Sequence, residues 1–98
     1  MYKHLNGTAI LVRANRAGVW MGTLAAVEGD ILRLTGARRL WSWTGALDAS
    51  VLALRGPTGG RFGDPTDVIL GPSAEVIEVH VASPAAVASV MGAPPWAR

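Results

Sequence analysis

Short runs of β-branched and apolar residues, each cut off by glycine, asparagine or proline, leave this chain little besides strands and tight turns. Thr8-Ala-Ile-Leu-Val-Arg13 reads as a first strand, and the turn at Asn15–Gly18 returns it to a second over Val19–Val27. Glu28-Gly-Asp30 then closes a hairpin onto Ile31–Thr35, with Gly29 able to supply the positive φ that short hairpin loops require. Leu40–Thr44 is a fourth strand, in which alternation sets Arg39, Trp41 and Trp43 on one face and Arg38, Leu40 and Ser42 on the other. Val68–Leu70 and Glu75–Val81 complete six, the last with Ile77, Val79 and Val81 on one face and Glu78 and His80 on the other.

Two segments break the pattern. Asp48 is placed to cap a helix of about two turns that ends at Gly56-Pro57, and Ser83-Pro84 opens a second that runs to Gly92. Between them Gly56–Asp67, with four glycines and two prolines, reads as a long loop. The tail Ala93-Pro-Pro-Trp-Ala-Arg98 cannot be helical, and Trp96 is suited to anchor it in a groove of this chain or a neighbour. The expected fold is α+β: a small antiparallel twisted sheet or partly closed barrel of about six short strands with two short helices. Strands and helices alternate too sparsely for a parallel doubly wound sheet.

The 98 residues make one domain, 1–98, with 93–98 as a Pro/Trp tail. Half are apolar, more than so short a chain readily buries, so a homo-oligomer is expected, with edge strands available for pairing. With no cysteine, disulfides, thiolate catalysis and zinc ribbons are excluded, and His4 and His80 lie too far apart in sequence to suggest a metal site. No metal and no cofactor are expected. No run reaches the length needed to cross a bilayer, and no signal peptide is evident, so a cytoplasmic protein without membrane partners is expected. Ser42, Ser50, Ser73 and Ser83 form no recognisable nucleophile–base pattern with a histidine, and His80 lies between valines, so no catalytic residues are assigned and a non-enzyme is expected. Neither glycine-rich stretch carries the Lys-Ser/Thr ending of a nucleotide-triphosphate loop.

Net charge is only +2, but eight of the nine basic residues are arginine. Arginine offers a planar fork for phosphate and a flat face for stacking, although a GC-rich genome, which the 16 alanines also suggest, produces the same bias. Within Gly36-Ala-Arg-Arg-Leu-Trp-Ser-Trp-Thr-Gly-Ala46, Arg39, Trp41 and Trp43 combine a phosphate fork with two rings that can stack on a purine. The bland alternative puts both rings in the core and both arginines, Arg38 and Arg39, in solvent. Arg16 and Trp20, flanking the first turn, are within reach of the same face across the sheet, or are a turn charge and a core aromatic.

Arg16-Ala-Gly-Val-Trp-Met-Gly-Thr-Leu24 followed by Ala37-Arg-Arg-Leu-Trp-Ser-Trp-Thr-Gly-Ala46 and Leu52-Ala-Leu54 resembles a small phage-encoded family with an Ala-Arg-Arg-Leu-Trp-x-Trp-x-Gly-Ala motif. Val68-Ile-Leu70, Glu75-Val-Ile-Glu78 and Trp96 extend the likeness over most of the chain; Arg16 and the Gly56–Asp67 loop depart from it. That family resembles viral sponge proteins that inhibit CBASS, an antiphage system signalling through cyclic oligonucleotides. The resemblance implies an oligomer in the cytoplasm of the infected bacterial host that sequesters a cyclic oligonucleotide, such as the cyclic dinucleotide cGAMP, without cleaving it. The ligand-binding candidates Arg38, Arg39, Trp41, Trp43, Arg16 and Trp20 come from the stacking-and-fork argument instead. A virion assembly protein using the Arg/Trp face as a subunit interface is the alternative, since Trp and Arg dominate interface hot spots. A single-stranded nucleic-acid binder would need a more basic groove, so long nucleic acid is not an expected partner.

Overall fold

A computed structural model describes residues 3–95. Six antiparallel strands form one sheet: β1 (Ala9–Ala14), β2 (Gly18–Glu28), β3 (Ile31–Thr44), β4 (Gly59–Phe62), β5 (Thr66–Leu70) and β6 (Val76–Val81). Helix α1 (Ala49–Arg55) lies between β3 and β4, and α2 (Pro84–Met91) follows β6. The fold is small α+β, as the patterning predicts, and the sheet does not close. The expectations for residues 96–98, including an anchoring Trp96, lie outside the described residues.

β3 is the element that organises the sheet. Sequence reading divides it into two strands, but it runs unbroken for 14 residues. At Gly36, with φ +57°, an extra residue enters β3 opposite β2, and such a bulge bends a strand while keeping it in the ladder. Its first half therefore pairs with β5, through Leu32–Leu70 and Leu34–Val68, and its second half with β4, through Leu40–Phe62 and Trp43–Gly60. The order along the sheet is β4-β3-β2-β1-β6, with β5 also on β3. The expected Gly56–Asp67 loop is thus a correction: β4 and the start of β5 lie within it.

A 3-10 turn, Pro72–Ala74, carries the chain from β5 directly to β6, so the sheet curls to bring these distant strands close. Both faces consequently bury apolar side chains. Ile10, Val12, Leu24, Leu32, Leu34, Leu70 and Ala74 fill the inside of the curl, where Trp20, Val76 and Val79 also pack. Leu11, Met21, Leu40 and Phe62 on the other face meet Leu52 and Ala53 of α1 and Ala86 and Val90 of α2.

Both helices begin where capping chemistry places them. Asp48 accepts from the Val51 N–H at 3.0 Å, and Ser83 accepts from the Ala86 N–H at 3.1 Å, with Pro84 in the first turn of α2. One strand departs from expectation. A register shift at Arg13/Ala14 removes Ile77 from the alternation, so that Val76 and Val79 face the core while Ile77 is half exposed.

Candidate functional site

Successive residues of β3 meet different fates. Arg38 points toward the helices and is 1% exposed. Its Nε donates to the Gly63 carbonyl at 2.6 Å, and Nη1 donates to the Val90 and Ala93 carbonyls at 2.7 and 2.6 Å. Nη2 reaches the Phe62 carbonyl at 3.5 Å, and the guanidinium lies over the Phe62 ring. This corrects its assignment to a ligand face: Arg38 ties the end of α2 to β4, with its donors spent on backbone oxygens.

Arg39 projects from the opposite face, beside its cross-strand neighbour Trp20. Its guanidinium lies over the Trp41 ring, 3.8 Å from the centroid, in a cation–π stack. The backbone of Gly18 passes close by; a β-carbon there would come within 2.9 Å of Arg39 Nη2. Gly18 also has φ +87°, so both the turn and the arginine demand glycine. Among the described residues no carboxylate forms an ion pair with Arg39. Trp41 is 44% exposed, and its indole Nε1 lies beside Gly63, whose N–H donates to the Arg39 carbonyl at 2.8 Å. Trp20 Nε1 donates to the Ala17 carbonyl at 2.8 Å, which holds the β1–β2 turn against the same face.

Trp43 does not join them. The pairing of β3 with β4 shifts register between Leu40 and Ser42, so Trp41 is an extra residue and the alternation reverses after it. Trp43 therefore falls on the helix side, where it packs against the cluster containing Leu40 and Leu52 and donates from Nε1 to the Ala46 carbonyl at 3.2 Å. It walls a cleft of about 340 Å³ shared with Arg13, Val19, Leu47, Asp48, Ala49 and Glu78. Arg16, at the turn, pairs with Glu75 at 3.2 Å and borders a separate cleft with Ile69 and Ser73. The structure thus brings Arg39, Trp41 and Trp20 together, holds Arg16 on the adjoining turn, and removes Arg38 and Trp43.

Sequence reading missed two features. Gly18 and Gly63 are the backbone walls of the Arg39–Trp41 stack, visible in sequence only as a turn glycine and a loop glycine. Arg13, Glu78 and His80 form a chain on the helix side: Glu78 accepts from Arg13 Nη1 at 2.6 Å and lies 2.8 Å from His80 Nε2. The bond to His80, then that to Arg13, holds the Glu78 carboxyl below its usual range. The Ser50 hydroxyl and then the Val51 N–H do the same for Asp48. These polar groups satisfy one another within the chain. Among the described residues no three His, Cys, Asp or Glu side chains gather to hold a metal ion, and no helix is long and apolar enough to cross a membrane.

The Arg39–Trp41 pair offers a charged plane and an indole surface at one exposed edge. A phosphate can take charge-assisted hydrogen bonds in the guanidinium plane, and a base can stack on the exposed aromatic surface, at roughly 1–3 kcal/mol per base. A family model described as "Domain of unknown function (DUF6948)" matches residues 7–90. No curated protein and no solved structure matches the chain.

Proposed function

This chain belongs to the DUF6948 family, and we propose that it is a non-enzymatic binder that sequesters a cyclic oligonucleotide, a cyclic dinucleotide such as cGAMP above all, and so blocks CBASS-type antiphage signalling in an infected bacterium. The observation that supports this reading is the Arg39 guanidinium stacked on the exposed Trp41 ring with no carboxylate partner among the described residues. An arginine held flat and uncompensated is prepared for an anion, and its neighbour is prepared for a base. Trp20 and the Gly18 backbone support the pair, while Arg16 on the same turn is paired with Glu75. Among the described residues one chain presents one such exposed stack, whereas a cyclic dinucleotide carries two bases and two phosphates. Two copies of the chain per ligand therefore follow.

Calorimetric titration against cyclic di- and trinucleotides, with the ligand released by heat and checked for integrity, tests the proposal. Saturable binding with intact ligand recovered supports a sponge, and a cleaved ligand would reveal an enzyme instead. A second reading, a virion assembly protein, draws on the same exposed Trp41, because a half-exposed indole stacked on arginine is also an interface anchor. Absence of binding to every nucleotide, together with capture by a purified virion component that is lost in Trp41→Ala, would favour it.

A further inference from the structure

β6 ends the sheet and, among the described residues, pairs only with β1, which leaves its other edge for a partner. The direction of its backbone follows from one bond: the Ala82 N–H donates to the Ala9 carbonyl at 2.9 Å, flanking the Ile10–Val81 pair. In an antiparallel ladder that pattern turns the N–H and C=O of Val81 away from β1, and alternation turns those of Val79 away as well. Glu78 and His80 direct theirs inward, to Arg13 and Leu11. Ile77 and Val81 are 50% and 56% exposed.

We propose that β6 pairs antiparallel with β6 of a second copy, about a two-fold axis at Val79. Val79 then lies opposite Val79, and Glu78 opposite His80. The register is determined by two independent conditions. Outward backbone groups must meet outward backbone groups, which excludes a slip of one residue. A slip of two residues either way would set Glu78 against Glu78 or His80 against His80. The remaining alignment pairs a carboxylate with an imidazole twice, as a self-complementary two-fold patch allows.

Prolines lie within three residues of both ends of β4 and of β5, whereas β6 has one so close only at its C-terminal end. Pro57 and Pro65 flank β4, and Pro65 and Pro72 bracket β5, which also carries Asp67. β6 contains neither proline nor lysine, the usual guards of an edge strand. The register shift at Ala14 limits the regular stretch of β6 to its second half, as suits a closed pair. This pairing is independent of nucleotide and lies on a different strand from Arg39 and Trp41, so its failure and that of the proposed function are separable.

Light scattering of the full chain without ligand, from about 10 µM to about 1 mM, tests it. The mass is expected to rise from 10.2 kDa toward twice that value. Glu78→His and His80→Glu, each folded by circular dichroism, should weaken association about tenfold by setting like groups opposite each other, and the double exchange should restore it. Should a single exchange not fold, Val79→Cys serves instead: the chain has no cysteine of its own, so a disulfide-linked pair reports on this residue alone, with Ile69→Cys on β5 as the control that stays unlinked. A monomer throughout the range, association unchanged by either single exchange, or equal linking at Ile69 would overturn the proposal.

Discussion

At Arg38 four carbonyl oxygens, from Phe62, Gly63, Val90 and Ala93, surround a guanidinium that water does not reach. Arg38→Leu strips these buried acceptors of their donors and should cost roughly 3 kcal/mol in chemical denaturation. Arg39→Ala, one residue away, should cost less than about 0.5 kcal/mol, because its stack with Trp41 lies at the surface. Alternation along a strand makes the opposed directions of the two arginines legible in sequence. Which of them is interior was not legible, since the oxygens that receive Arg38 come from segments far along the chain. Trp41 and Trp43 were misread together for a simpler reason: the extra residue between Leu40 and Ser42 reverses the faces, and nothing in Leu-Trp-Ser-Trp marks it. Gly18→Ala introduces a β-carbon at φ +87° and against Arg39, so it should lower stability by roughly 1 kcal/mol. The same change should weaken nucleotide binding about tenfold in calorimetry, because it displaces the fork.

Among the elements, the helices were the most legible, because their boundaries rest on local capping. Ser83 both caps α2 and donates to the Leu54 carbonyl at 2.6 Å, so Ser83→Ala should destabilise the fold by about 1 kcal/mol in thermal or chemical unfolding. β4 was the least legible. A Gly-Gly-Arg-Phe strand has little intrinsic preference for the ladder, yet a β-carbon at Gly60 would run into the Ser42 carbonyl, so close pairing with β3 requires glycine there. Glu78 on β6 and Asp48 at the start of α1 contribute to the acid limb of stability. Glu78 and Asp48 are held below their ordinary values of 4.5 and 3.8. Their contribution is complete above those values and is lost as pH falls through the lower folded-state values. Acid unfolding followed by circular dichroism should begin at correspondingly low pH, and Glu78→Gln and Asp48→Asn should each flatten that limb, the asparagine preserving the cap.

For the molecule as a whole, one curled sheet with a core on each face explains how so short a chain accommodates its apolar residues. The inside of the curl takes side chains from β1, β2, β3, β5 and β6, and the two helices cover the reverse. Class and approximate strand number could be read from turns and alternation. The curl could not, because it depends on the bulge at Gly36 and on the short passage from β5 to β6. That architecture leaves Arg39 and Trp41 together at a surface edge, and the functional account stands on that pair. Its most direct test is a paired calorimetric titration of the unmodified chain and Arg39→Ala with the same cyclic dinucleotide. The account predicts saturable binding by the first with two chains per ligand, and none by a variant that keeps its circular dichroism spectrum. Equal binding by both would contradict it.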